Sequence, residues 1–231
     1  MIGVGYPTLL VTLAQAVVAS FILILLPLLL VKTVRKEGAD RRRNIIFYFL
    51  AIGLAFLFIE IAFIQKFTLI LSQPLYAVAV ALCAFLIFSG FGSLYVQYRL
   101  KTTSGSIIAV LLRRAVMVIV LITVIYIILL PLISSTIMAQ PEITRIISAF
   151  ILAAPLAFVM GMPFPLGLAA VQQTSPHLIP WAWGINGCAS VLSAILAVLL
   201  AIEIGFNGVM ACAVVLYIIA WLSDITIAEQ K

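Results

Sequence analysis

Glu60 is the first residue to weigh for chemistry: a carboxylate in the run FLFIEIAFIQKF, apolar on either side. An ionisable group in such a stretch is costly wherever water is excluded, and it is a functional-site hypothesis by default. Two roles are open to it. One is a proton-accepting or cation-binding carboxylate facing the interior of a helix bundle. The other is a structural carboxyl, protonated or hydrogen-bonded to a neighbouring helix. A relay would need a second carboxylate, and Glu203 sits at the end of a different apolar segment. Lys66 could approach either acid, but on one helix a spacing of six residues turns it to a different face from Glu60.

Uncharged polar and small residues form a second set. In PWAWGINGCAS, Trp181 and Trp183 suit an interfacial belt. Gly184, Asn186, Gly187 and Ser190 then open the next helix, and Ala182, Asn186 and Ser190 recur every four residues, as do Ala189, Ser193 and Ala197. That spacing predicts a close-packed helix face with one amide, Asn186, able to bond across the interface or to contact a ligand. The segment SGFGS places Ser89, Gly90, Gly92 and Ser93 together, as a tight helix crossing or a ligand-facing break. In GMPFPLG, from Gly161 to Gly167, two prolines remove backbone donors. This is either a re-entrant turn lining a cavity or a helix end followed by a turn.

No nucleophile paired with a base, no phosphate-binding glycine loop, no metal-ligand cluster and no haem-type histidine pair is present in the sequence. The single histidine is His177, and Cys83, Cys188 and Cys212 lie in apolar stretches without CxxC spacing, as packing residues do. No catalytic or metal-binding residue and no cofactor is therefore expected. A bound lipid or apolar ligand is the class left open.

The elements that must position these residues follow from composition. Of 231 residues 66% are hydrophobic and 9% charged, with a mean hydropathy of +1.35. Soluble domains carry about 25% charged residues, so the missing polar surface must be lipid. A spanning helix needs roughly 20 apolar residues, which predicts one all-α transmembrane domain over 1–231 with about seven spans. They are Leu9–Val31, Asn44–Gln65, Pro74–Gln97, Ala115–Met138, Ile146–Leu168, Ala182–Ile202 and Gly208–Ser223. The start, MIGVGYP, lacks the basic region of a signal peptide, so the first stretch is read as a retained span.

Lys32, Arg35, Lys36, Arg41, Arg42, Arg43, Arg99, Lys101, Arg113 and Arg114 fall on one side, and only Lys66 and Arg145 on the other. The positive-inside rule then puts the N-terminus outside and the C-terminus in the cytoplasm. The net charge of +6 belongs to these loops and implies no nucleic acid. The stretch Thr102–Val110 is expected as an interfacial segment before the fourth span, and no internal repeat is visible.

Taken together, GLAFLFIEIAFIQKFTLILSQPLYAVAVALCAFLIFSGFGSL and GMPFPLGL…PWAWGINGCASVLSAILAVLLAIEIGF resemble the membrane region of bacterial spermidine-synthase-like membrane proteins, over about Tyr48 to Leu216. In that family the membrane region accompanies a Rossmann-like domain similar to S-adenosyl-dependent aminopropyltransferases and methyltransferases. The nucleotide-binding domain has no counterpart here, since no glycine fingerprint follows a strand. Ser72 and Gln73 also stand before Pro74, where the family has a Gly-His pair. The resemblance implies a non-catalytic membrane subunit that docks with another membrane or cytoplasmic protein, in contact with lipid and not with nucleic acid, in a bacterial inner membrane. The alternatives are a small cation or polyamine carrier using Glu60, or the membrane part of a split S-adenosyl-dependent enzyme.

Overall fold

The computed structural model of the chain describes residues 5–22, 26, 39–102, 107–223 and 225. Most of the basic tract at 32–40, the second half of the span expected at Leu9–Val31, and much of Thr102–Val110 lie outside them. The described residues are all helix and turn, without a strand: α1 Gly5–Ser20, α2 Ala39–Leu71, α3 Pro74–Thr102, α4 Ile107–Met138, α5 Glu142–Met160, α6 Pro163–Thr174 and α7 Ile179–Leu222, with a short 3₁₀ turn Pro176–Leu178 before α7. Five helical stretches are long and apolar enough to cross a membrane, which makes the protein an all-helical membrane bundle.

The large side chains on the outside are those that lipid requires. Leu75 is 77% exposed and Ile143 73%, an arrangement water would penalise and hydrocarbon does not. Inside, alanine and aromatic residues alternate. Ala55, Ala62, Ala81 and Ala153 are fully buried beside Phe49, Phe63, Phe67 and Phe85. The small residues let helices approach, and the rings fill what remains. Phe63 makes the central contacts, edge-on to Phe85 at 5.4 Å and against Tyr126 at 5.6 Å.

Helix α2 is the central element and packs mainly against α7. The two run parallel in register: Asn186 Nδ2 donates to Phe49 O at 3.3 Å and Ser193 Oγ to Leu54 O at 2.8 Å. Helix α7 is not one rod. Gly205 has φ 72° and ψ 170°, a region essentially reserved for glycine. On a straight helix Ser190 and Tyr217 would stand about 40 Å apart, yet both line one cleft. The chain therefore folds back at Gly205 into a hairpin of 179–204 (α7a) and 206–222 (α7b).

Two further breaks shape the bundle. Helix α2 ends at Ser72, whose φ is 58° and whose N–H bonds to Thr68 O. That is the left-handed helix stop usually filled by glycine, and Pro74 then starts α3. On the same end Arg145 Nη1 donates to Ile70 O at 3.2 Å, so a cation caps the last carbonyls of α2.

The span expected at Ile146–Leu168 is divided. Pro155 stays inside α5, but Pro163 and Pro165 leave Gly161 and Met162 as a break before α6. The expected interfacial segment differs as well. Residues 107–110 belong to α4, where Ile108 packs into the bundle at 3% exposed while Val110 stays on the outside.

Candidate functional site: a cleft at the helix break

The crossing of α3 and α5 builds the first wall. At Gly92 an added Cβ would run into the carbonyl oxygen of Phe158, and at Gly161 into the main chain of Ser89. Main chain therefore lies against main chain, which only glycine allows. The SGFGS segment remains an unbroken helix through this contact. Gly90, two residues from Gly92, takes no part in the crossing, since a Cβ there would meet nothing within 4 Å. A spacing of two turns a helix by about 200°, so Gly90 and Gly92 cannot face the same neighbour.

The helix break supplies the second wall. Tyr48 is fully buried, and its hydroxyl donates to Pro163 O at 2.7 Å, tying α2 to the start of α6. Phe164 stands edge-on between Phe49 at 5.7 Å and Trp183 at 4.8 Å. Irregular backbone within a membrane protein is tolerated where it is buried in protein or lines a cavity, and here it does both.

Between these walls lies a cleft of about 430 Å³, in the range of small-molecule sites. Helix α2 contributes Ile52, Gly53, Phe56 and Leu57, and α3 contributes Leu86, Ser89, Gly90 and Ser93. Met160, Gly161 and Pro163 to Pro165 close one side, and Asn186, Ser190 and Tyr217 of the α7 hairpin close the other. Ser93 stands ~9 Å along α3 from Arg99, so the cleft occupies the half of the bundle nearer the basic end. Its polar side chains are hydroxyls and one amide. No ionisable acid or base lines it apart from the phenol of Tyr217.

The residues singled out in the sequence divide. Asn186, Ser190, Ser89, Gly90 and Ser93 meet at the cleft. Asn186 also holds α7a to α2, where Gly53 leaves room for the amide: a Cβ at Gly53 would lie 2.8 Å from Asn186 Nδ2. Gly184 is half-buried, and at Gly187 a Cβ would meet nothing within 4 Å, so Gly187 does not serve a close crossing. Trp183 is 58% exposed, as an interfacial ring can be, but Trp181 is 9% exposed and belongs to the core. Two positions apart on a helix they face opposite ways, so Trp181 turns into the bundle where Trp183 turns out.

Glu60 is 7% exposed and carries no hydrogen bond among the described residues. It is not on the cleft wall. It lies one turn beyond Phe56 and Leu57 on the same face of α2. Lys66 is half-buried and forms no ion pair with it, and Glu203 is exposed beside the Gly205 turn. Among the described residues no group of three His, Cys, Asp or Glu side chains could hold a metal. Tyr217 is the polar cleft residue that sequence reasoning missed. It stands in the apolar run AVVLYIIAWL, and only the fold-back at Gly205 brings it to Asn186. The phenol among aliphatic neighbours was the available signal. Comparison with protein-family models, with curated proteins and with solved structures finds no match.

Proposed function

We propose that the chain is a seven-span module of a bacterial cytoplasmic membrane that holds a membrane-soluble ligand in the cleft and works through a partner protein. It is not catalytic on its own. The seven spans are α1, α2, α3, α4, the α5–α6 pair and the two arms of α7. The N-terminus lies outside, because Arg41–Arg43, Arg99, Lys101, Arg113 and Arg114 share one end while Lys66 and Arg145 sit at the other.

The observation that carries this reading is the cleft: uncharged hydrogen-bonding groups gathered inside a mostly apolar bundle, formed where a helix is interrupted. The resemblance to spermidine-synthase-like membrane regions adds the nature of the partner, a separately encoded S-adenosyl-dependent enzyme. Purification from the native membrane in a gentle detergent, with mass spectrometry of what co-elutes, tests it. Stoichiometric recovery of a second protein supports the subunit and names its function. Recovery as a monomer or homo-oligomer ends the partner claim.

Glu60 favours a second reading, a cation or polyamine carrier, because a buried carboxyl without a hydrogen bond suits an ammonium group. Vesicles loaded with the Glu60→Gln variant should then lose uptake of radiolabelled spermidine. Transport at the normal rate by that variant removes the mechanism.

A further inference from the structure

The polar groups on the cleft wall have unequal hydrogen-bonding needs. Tyr217 is only 1% exposed, and its hydroxyl carries no hydrogen bond among the described residues, although the other interior phenols, Tyr48 and Tyr126, donate to Pro163 O and Leu152 O. The oxygen is not sealed off either, in contrast to Thr123 Oγ1, which is fully enclosed without a partner. For so buried a residue the open surface is the cleft that it lines, so the O–H is aimed into that space.

Ser93 Oγ, on the facing helix, is also without a hydrogen bond among the described residues. Asn186 uses its amide nitrogen on Phe49 O and keeps Oδ1 as an unused acceptor. A donor, an acceptor and a group that can be either therefore converge on one cavity. Buried groups of this kind cost free energy until a partner meets them.

The surroundings restrict the partner. A fixed charge in this cleft would have no counter-charge among its walls, and desolvation of an uncompensated ion is prohibitive. The remaining walls are apolar, with Phe56 and Phe164 inside and Leu86 at the rim. Leu86 is 70% exposed and Gly90 has open space beside it, so the mouth opens on the flank of α3, among the residues that face lipid.

We propose that the cleft binds a neutral lipid with a hydroxyl head, taken in sideways from the membrane. The head oxygen accepts the hydrogen bond of Tyr217, its hydrogen goes to Asn186 Oδ1, and the chain leaves past Leu86. This rests on the reading of the cleft as a ligand site and adds the class of ligand, its orientation and its route.

The test uses the full chain in nanodiscs of phosphatidylcholine with two photoactivatable probes, a diazirine-tagged long-chain alcohol and the same tagged chain as a plain hydrocarbon. Labelled peptides are located by mass spectrometry. The alcohol should label the cleft walls, and Tyr217→Phe should lower that labelling by about fivefold to tenfold, the size of one hydrogen bond, with hydrocarbon labelling unchanged. Gly90→Phe, whose Cβ would meet no atom within 4 Å, should block both probes at the mouth. Equal labelling by alcohol and hydrocarbon, or an equal loss of both in Tyr217→Phe, overturns the head-group assignment and leaves the cleft as a binding site. Unchanged labelling in Gly90→Phe overturns the lateral route. No cleft labelling by either probe in the unaltered chain removes the binding reading itself. Gel filtration of each variant before irradiation excludes misfolded material from the comparison.

Discussion

The bundle contains two breaks that look alike in a helix trace and are held by different physics. At Gly161–Met162 the chain is interrupted by prolines and locked from outside: the Ser89 main chain presses on Gly161, and Tyr48 donates to Pro163 O. At Gly205 a Cβ would meet nothing, and the reversal is written into the backbone alone, at φ 72°. The first break is a packed wall of a cavity. The second is an exposed turn that reverses the chain. An interrupted membrane helix therefore gains a binding surface when neighbours supply hydrogen bonds and close contact, and only a change of direction when they do not.

The sharpest way to break this comparison is size. Gly161→Val should cost on the order of 3 kcal/mol or more, as overpacking against rigid main chain does, with Ala milder and Leu worse. At Gly205 Ala, Val and Leu should all cost about 1–3 kcal/mol, because a strained backbone and not space sets the penalty. Thermal unfolding in detergent, read by loss of the monodisperse gel-filtration peak, checks both series. A size dependence at Gly205 as steep as at Gly161 would erase the distinction. Tyr48→Phe should cost about 1–2 kcal/mol by removing the hydrogen bond that ties α2 to Pro163 O at the first break, which the same assay reads. Ser72→Gly should stabilise by about 0.5–1 kcal/mol, since serine holds a left-handed turn that glycine adopts freely. Gly90→Ala, next to the tight crossing but outside it, should stay within about 0.5 kcal/mol of the parent. A large effect there would show that the α3 contact is wider than Gly92.

The class of fold was legible because composition leaves no other solvent for so few charges. Local breakers were legible too: Pro163 and Pro165 stand close together after Gly161 and the helix breaks there, whereas the lone Pro155 leaves its helix unbroken. The cleft was legible only in pieces. Its walls come from residues near 53, 90, 161, 186 and 217, and nothing in an apolar periodicity says which helices are neighbours. Asn186 could be seen because an amide is rare among aliphatic residues, and it does two jobs that sequence offers as alternatives, holding α2 and facing the cavity. Tyr217 could not be placed without the reversal at Gly205. Trp181 and Gly90 show a different limit. A residue type suits a role, but the 100° step of the helix decides whether the side chain faces it.

The contact between α3 and α5 also bears on how such a chain can change over generations. Gly92 and Gly161 each face the other helix's main chain, so no second substitution can make room for a methyl group at either place: a side chain can shrink, and a carbonyl cannot. The pair has no compensating partner and is fixed for as long as the bundle stands. A few residues away, Leu86 and Gly90 border open space and are free to drift. Descendants of this sequence can thus alter what enters the cleft while inheriting its frame unchanged.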